Sequence, residues 1–166
     1  MTSHRTSPQI PRTWEITAAP YDSPDVQQLL RQFQAAQVDI YGYADNPADT
    51  PGTDYEPPHG LFLLARDSSD RPLGCGGWRL LTPTTGEVKR MYVRPQFRGL
   101  GFARLMLDHL AEYTRSNGIN VLRLETGIHQ RAAITLYERS GFRSIPAFGE
   151  YKPDPLRRFY EKQIPD

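Results

Sequence analysis

The chain has 166 residues, which is enough for one domain with a buried core. Its composition, 38% hydrophobic and 23% charged, is neither that of a disordered chain nor that of a membrane protein. The formal net charge of +1 gives no basis for general nucleic-acid binding, and the single cysteine excludes an internal disulfide framework.

The start of the chain, MTSHRTSPQIPR, is polar and rich in Ser, Thr and Pro. This composition predicts a flexible tail over residues 1–12, followed by a single domain over residues 13–166. The start lacks the apolar region of a secretory signal, and no apolar run reaches transmembrane length. We therefore expect a cytoplasmic protein that does not bind a membrane.

The first third of the domain is predicted to contain a strand, a helix and a long loop. Apolar alternation indicates a strand at residues 14–19. Ser23 as N-cap and Pro24 in the first turn predict a helix that ends near Gly42. Residues 43–60 form a loop rich in proline, glycine and acids, which is either functional or a plain connection.

Three consecutive apolar stretches, at residues 61–65, 72–81 and 86–93, predict an antiparallel meander. The second stretch contains three glycines, which indicate a bulge or the close approach of a backbone or ligand.

A helix, a strand, a second helix and two strands follow. The first of these helices runs from Phe102 to about residue 116, the strand spans residues 121–125, and the second helix spans residues 131–140. The order β-α-β-β-β-α-β-α-β-β predicts an α/β (α+β) fold. The predicted buried stripe of the first helix is Phe102, Leu105, Met106, His109, Leu110 and Tyr113.

The stretch VRPQFRGLGFA, residues 93–103, joins a strand to the start of a helix. Gly99 and Gly101 permit backbone torsions that other residues avoid, and a helix start offers free N–H groups and a positive dipole. The stretch therefore predicts a binding site for a phosphate or pyrophosphate. The alternative is a glycine-bearing turn that only connects the strand to the helix. Arg104 stands where a Rossmann fingerprint needs its third glycine, and no Walker A motif is present.

The pattern Gln96-x-x-Gly99-x-Gly101 resembles the coenzyme A pyrophosphate loop of the GNAT superfamily of N-acetyltransferases. EVKRMYVRP before it and LYERSGF at residues 136–142 resemble that family's fourth strand and its closing signature. LETG at residues 124–127, with FGEY at residues 148–151, resembles a bacterial subgroup whose substrates are mostly unassigned. The resemblance implies the GNAT fold, a mixed and mostly antiparallel sheet of about six to seven strands flanked by about four helices.

The resemblance also implies acetyl-CoA as co-substrate. Main-chain N–H groups from Arg98 to Ala103 would hold its pyrophosphate, and the end of the fourth strand would stabilise the oxyanion. Gln130 stands where the family often carries an Asn that contacts coenzyme A. The implied cofactor-binding residues are Met91, Tyr92, Val93, Arg98, Gly99, Leu100, Gly101, Phe102, Ala103, Arg104 and Gln130.

Tyr137 and Glu87 are the implied catalytic residues. The resemblance makes Tyr137 the acid for the leaving thiolate, the alternative being a core tyrosine. It makes Glu87 the base for the amine, the alternatives being a surface or strand-pair charge and a water relay to a remoter carboxylate. Strict alternation puts Glu87 on the face of Lys89, Met91 and Val93 unless a bulge intervenes. The four histidines show no ligand spacing, so no metal is expected.

The expected function is transfer of an acetyl group to a small-molecule amine in a ternary complex. The alternatives are a non-catalytic acyl-CoA sensor and an enzyme that acetylates protein N-termini or lysines. The loop at residues 43–60 and the segment at residues 148–151 are expected to wall the acceptor pocket. The sequence leaves the acceptor open, and it leaves a homodimer open.

Overall fold

The computed structural model describes residues 13–166, which form one seven-stranded sheet with three α-helices. The tail predicted for residues 1–12 lies outside the described residues. The strands are β1 (Trp14–Ala18), β2 (Gly60–Asp67), β3 (Pro72–Thr82), β4 (Thr85–Val93), β5 (Val121–Gly127), β6 (Arg143–Ile145) and β7 (Arg157–Gln163). The helices are α1 (Pro24–Tyr41), α2 (Phe102–Ser116) and α3 (Arg131–Arg139).

The sheet order is β1-β2-β3-β4-β5-β7-β6, and every neighbouring pair is antiparallel except β4 and β5. This confirms the mixed, mostly antiparallel sheet. The described chain has three α-helices where about four were expected, because the long loop forms only short 3₁₀ turns at Pro47–Asp49 and Gly52–Tyr55.

The helices α1 and α2 cover the two faces of the sheet. Val26, Leu29 and Leu30 of α1 are buried in a cluster with Phe62 and Tyr92 of the sheet. The helix α2 is buried in two clusters that contain strand residues such as Trp78, Val88 and Val93. Both faces of the central strands are therefore covered, which explains their near-continuous apolar sequence.

Local chemistry sets the ends of α1 as predicted, except for one hydrogen bond. Pro24 occupies the first turn, and Gly42 ends the helix with φ +77° and donates its N–H to the Val38 carbonyl at 2.8 Å. Ser23 stands at the N-cap position, but its side chain makes no capping hydrogen bond. The predicted N-cap position is therefore confirmed, and only the side-chain hydrogen bond that usually accompanies such a cap is missing.

The buried face of α2 is rotated from the predicted stripe. Phe102, Met106 and Leu110 are buried as predicted, whereas Leu105 is 37% exposed and His109 is exposed. Leu107 and Thr114 are buried instead. The helix lies over two clusters of the sheet, so its buried arc includes the Leu107 side of the stripe and leaves the His109 side in water.

No described helix has the length and apolar character needed to cross a bilayer. In residues 13–166 there is no group of three or more His, Cys, Asp and Glu side chains that could hold a metal ion.

Candidate active site

The turn between β4 and α2 presents free backbone N–H groups around two glycines. Gly99 and Gly101 have φ of +78° and +89°, and a Cβ added at either would meet nothing within 4 Å. The N–H groups of residues 99–104 find no acceptor among the described residues, and the first N–H of the helix ladder is that of Leu105. The turn is therefore an open concavity of donors at a helix N-terminus, which suits a phosphate group.

The two arginines of this turn differ in what holds them. Arg98 donates from Nε to the Val93 carbonyl at 2.9 Å, so its guanidinium is fixed at the junction of strand and turn. Arg104 donates from Nε to Asp108 Oδ1 at 3.3 Å on the exposed side of α2. Arg98 thus borders the donor groups of the turn, whereas Arg104 takes part in a surface ion pair.

The strands β4 and β5 separate after Glu87, so the second half of β4, which leads to this turn, does not pair with β5. They pair only at Thr85–Glu87 with Val121–Arg123, and the remainder of β5 pairs with β7 alone. Arg94 donates its N–H to the Leu73 carbonyl of β3. Because consecutive residues of a strand direct their N–H groups to opposite edges, the Val93 N–H points into the gap. The gap therefore has an unpaired strand edge on its β4 side.

A bulge in β4 changes which side chains share a face. Cys75 pairs with Tyr92 but Gly77 pairs with Lys89, so two residues, Arg90 and Met91, oppose Gly76. Arg90 has φ +61°. The bulge puts Met91 and Val93 with the α2 clusters, while Tyr92 packs with α1. The bulge that the sequence leaves open is therefore present, so strict alternation ends at Lys89 and Glu87 does not share a face with Met91 and Val93.

The gap opens into a cleft between α1, the long loop, β4, β5, α3 and the segment before β7. Charged side chains of both signs face it. The polar and aromatic residues that line it are Gln34, Gln37, Tyr41, Tyr43, Asp45, Glu87, Lys89, Arg90, Glu125, Thr126, Gln130, Tyr137, Tyr151 and Arg157.

Glu87 lies in a network that occupies both of its oxygens. It is 1% exposed, and Oε1 accepts from Arg79 Nε at 3.0 Å while Oε2 accepts from the Tyr151 hydroxyl at 2.7 Å. Lys89 Nζ lies 4.0 Å from Oε1 and donates to the Tyr151 hydroxyl at 3.3 Å. Burial is the largest influence on Lys89 and lowers the pKa of its ammonium. Glu87 is thus the buried centre of a hydrogen-bonded cluster rather than a surface charge.

Glu125 faces the same cleft from β5 with fewer partners. Its nearest cation is Arg157, whose Nη1 lies 3.8 Å from Oε1. Burial raises the pKa of the Glu125 carboxyl, Arg157 and Lys89 oppose this shift, and Asp45 and Glu87 add to it. Glu125 is therefore a weakly paired carboxylate with an increased affinity for a proton.

Tyr137 lies on α3 with its ring edge-on to Phe142 at 5.8 Å between centroids. It is 6% exposed and lines the cleft. Burial, and secondarily the Glu125 carboxylate, raise the pKa of its hydroxyl above the ordinary value. The hydroxyl therefore stays protonated at neutral pH, and it would give up its proton only to a base as strong as a newly formed thiolate held against it.

Comparison with known proteins agrees with this geometry. Residues 23–142 match the family model described as the acetyltransferase (GNAT) family. The chain belongs to the GNAT acetyltransferase family. It is 42% identical to an IAA acetyltransferase of Azospirillum brasilense over 84% of this chain and 90% of that protein.

Solved structures of GNAT proteins resemble the whole described fold. A Klebsiella pneumoniae protein superposes with a TM-score of 0.79 at 33% identity, covering 91% of this chain and 97% of that one. A GNAT family acetyltransferase from Elizabethkingia anophelis, solved with acetyl-CoA bound, has a TM-score of 0.65 at 17% identity over 91% of this chain and 98% of that one. The recognition from sequence is confirmed, and the chain is an acyltransferase of a family that uses acetyl-CoA.

The predicted site residues of this GNAT chain fall into two groups. Those of residues 98–104 lie at the β4–α2 turn, and Met91, Tyr137, Glu87 and Gln130 line the cleft. Gln130 uses its Oε1 to accept from the Thr126 hydroxyl at 3.1 Å and the Gly127 N–H at 3.0 Å. It therefore holds the β5–α3 turn, and its role toward coenzyme A stays a prediction.

Four charged cleft residues were not among the predicted site residues: Lys89, Arg90, Glu125 and Arg157. Alternation in LRLETG opposes Glu125 to the buried Leu124, which was an available signal. Arg90 depends on the bulge, and Arg157 depends on the path of a loop, so neither had a local signal. Of the long loop predicted to wall the pocket, Tyr43, Asp45 and Pro47 line the cleft, whereas Tyr55 is buried and stacks on Tyr21 at 4.6 Å.

Proposed function

We propose that this protein transfers an acetyl group from acetyl-CoA to a primary amine of a small molecule, directly within a ternary complex. The observation that supports this most is the position of Tyr137 and Glu125 in one cleft, beside the unpaired edge of β4. An acid, a carboxylate base and free N–H donors are the groups that acyl transfer to an amine requires.

The β4–α2 turn would bind the pyrophosphate of acetyl-CoA. Its free N–H groups and the two glycines without a Cβ give the ligand close access to the main chain. The pantetheine arm would then run along the open edge of β4, pairing with it as an added strand does. This directs the thioester toward the cleft and the Val93 N–H toward its carbonyl oxygen.

The amine arrives mostly as ammonium and must lose a proton before it attacks. Glu87, the base predicted from sequence, has both oxygens occupied by Arg79 and Tyr151. Glu125 has a raised pKa and only a 3.8 Å contact to Arg157. We therefore assign proton acceptance to Glu125, and we assign to Glu87 the positioning of Tyr151 and Lys89.

Tyr137 would complete the reaction. The amine nitrogen bonds to the thioester carbon, the carbon–sulfur bond breaks, and the Tyr137 hydroxyl gives its proton to the thiolate. The nitrogen loses its second proton as the amide forms, and that proton restores the Tyr137 hydroxyl, while the proton taken up by Glu125 returns to solvent. The products are the amide, free coenzyme A and one proton.

Direct transfer is favoured because the sequence has a single cysteine, Cys75, and it is fully buried. Its thiol donates to the Arg90 carbonyl at 3.5 Å, and burial raises the pKa of that thiol. Since the thiolate is the nucleophile, a buried thiol that resists ionisation makes a poor acyl carrier.

IAA is a second candidate acceptor, because the relative from Azospirillum brasilense is named as an IAA acetyltransferase. IAA therefore belongs in any acceptor panel beside simple amines. The sensor and protein-acetylating alternatives are outcomes of the same assay.

The test is steady-state release of free thiol from acetyl-CoA. The panel should contain polyamines, amino acids, aminoglycosides, IAA, and peptides with free N-termini or lysines. We expect turnover with at least one small amine. A melting temperature that rises with acetyl-CoA while no acceptor releases thiol would identify a sensor, and turnover with peptides alone would identify a protein acetyltransferase.

A further inference from the structure

Arg90 is held in the cleft wall by an unusual backbone conformation. It occupies the bulge of β4 with φ +61°, a region that residues with a side chain such as arginine rarely adopt. Such a conformation is unfavourable and persists where the surrounding structure requires it. A glycine or asparagine would adopt this backbone conformation more easily, so the presence of an arginine at this position needs an explanation.

The other guanidinium groups in and behind the cleft wall have carboxylate partners. Arg79 contacts Glu87 at 3.0 Å and Asp54 at 3.3 Å. Arg157 contacts Asp154 at 3.6 Å and Glu125 at 3.8 Å. Among the described residues, Arg90 has no carboxylate oxygen within 4.0 Å.

The nearest polar groups to Arg90 are hydroxyls, with one carboxylate farther away. Its Nη2 lies 3.5 Å from Thr50 Oγ1. Against the effect of burial, Tyr55, Tyr21 and the more distant Asp45 carboxylate all act to raise the pKa of the guanidinium. Its Nε–H is buried and has no acceptor in the described chain, and neither has the buried Tyr55 hydroxyl. The protein thus leaves hydrogen-bonding capacity unused beside a half-buried positive charge.

An unpaired guanidinium away from water is costly, and an anion that pairs with it recovers much of that cost. The guanidinium fork matches the two oxygens of a carboxylate. Glu125 in the same cleft suits an ammonium group, whereas the exposed Asp45 carboxylate acts on both Glu125 and Arg90 and belongs to neither place alone. The cleft therefore offers one place for a cation and another for an anion.

We propose that the acceptor of this enzyme carries a carboxylate as well as its amine, as amino acids do, and that Arg90 binds the carboxylate. This inference rests on the proposed acetyl transfer and names the chemical class of its acceptor.

The first test compares matched acceptors on the unmodified protein. Phenylalanine, its methyl ester and phenethylamine share one side chain, as do lysine, its methyl ester and cadaverine. With kcat/KM corrected for the fraction of free amine, we expect the free amino acid to exceed both analogues by about 10- to 100-fold, the scale of hydrogen bonds to a charged group. Equal or better turnover of the uncharged analogues would overturn the proposal.

The second test assigns the preference to Arg90. Arg90→Gln should lower kcat/KM for the free amino acid more than for the plain amine and so remove most of the preference for the carboxylate, and Arg90→Lys should keep part of that preference. Arg31→Gln, which removes an exposed charge on α1, is the matched control and should keep the full preference. An unchanged preference in a folded Arg90→Gln protein would overturn the assignment.

The two proposals fail in different ways. Release of no thiol with any acceptor contradicts the acetyl transfer itself. Thiol release without preference for the carboxylate leaves the transfer intact and contradicts only the role of Arg90. If Arg90→Gln does not fold, the comparison of amino acids with their esters on the unmodified protein still decides whether a carboxylate is recognised.

Discussion

The β4–α2 turn and the charged cleft are two halves of one candidate site, and they are built in different ways. The turn is one contiguous stretch whose binding groups are backbone N–H donors around Gly99 and Gly101. The cleft is assembled from side chains of at least six segments that are distant in sequence. A site made of backbone groups is therefore determined by a short stretch of sequence, whereas a site made of side chains is determined by the whole fold.

Substitutions in the two halves should therefore have different effects. A turn that binds through the main chain accepts almost any side chain at its exposed positions, apart from its glycines. The cleft discriminates through the pairing of individual charges, so one substitution there should alter catalysis or acceptor choice without altering acetyl-CoA binding. The following predictions test that separation.

The largest effect is expected from Glu125→Gln. Loss of the base should lower kcat by about 100- to 10,000-fold and leave the Kd of acetyl-CoA unchanged. Glu87→Gln is the comparison, and its loss should be smaller because Glu87 positions other groups. Stopped-flow thiol release and calorimetry measure both quantities. A larger loss for Glu87→Gln than for Glu125→Gln would return the role of base to Glu87.

Tyr137→Phe should also lower turnover within the range of about 100- to 10,000-fold, because the leaving thiolate loses its proton donor. The ring still packs on Phe142, so folding and acetyl-CoA binding should persist. An aryl thioester, whose thiolate leaves more easily, should recover much of the lost rate. Unchanged steady-state turnover with acetyl-CoA would remove Tyr137 from the mechanism.

Tyr151→Phe should act on the acceptor alone. It leaves Glu87 Oε2 without its 2.7 Å donor and Lys89 Nζ without its 3.3 Å acceptor. Without this hydroxyl the Glu87 and Lys89 side chains lose their fixed positions in the cleft wall, so the KM of the acceptor should rise, by at most about 5- to 30-fold if the whole cost of about 1–2 kcal/mol falls on acceptor binding. The Kd of acetyl-CoA should stay constant. A parallel loss in both constants would mean that the two halves of the site are coupled.

The smallest effect concerns stability. Since burial raises the pKa of Glu125 in the folded state, the ionised carboxylate destabilises the protein above that pKa, and protonation relieves the cost as the pH falls. Glu125→Gln should therefore stabilise the protein at neutral pH by roughly 0.5–1 kcal/mol, the lower end of what single stabilising substitutions give. Urea unfolding at neutral and acidic pH measures this, and a gain that grows toward acidic pH would contradict the raised pKa.

Much of the fold was predictable because its signals are local. Pro24 and Gly42 mark the two ends of α1, and the order of the helices and strands followed from the periodicity of apolar residues. Tyr137 and the turn at residues 98–104 followed from short motifs whose spacing resembles one family. Where the prediction depended on packing, it was less accurate, as the exposed His109 in α2 shows.

The cleft was not predictable to the same extent. The bulge at Arg90 comes from the pairing of β3 with β4, and the Met91 side chain fits because Gly76 has no Cβ to block it. The hydrogen bond from Tyr151 to Glu87 joins residues 64 positions apart. A single sequence contains no local signal for contacts of this kind, which is why the pairing of Glu87 and the lack of a carboxylate at Arg90 became visible only in the structure.

The proposed acetyl transfer requires that the backbone around Gly101 binds the pyrophosphate of acetyl-CoA. Calorimetry on a matched pair of variants measures this binding most directly. Gly101 and Gly118 lie at opposite ends of α2, both with positive φ and with nothing within 4 Å of an added Cβ. Alanine at either position should cost about 1–2 kcal/mol of folding free energy. We predict that Gly101→Ala weakens acetyl-CoA binding by about 10-fold or more while Gly118→Ala binds as the unmodified protein does. Equal affinities for the two variants would contradict the claim.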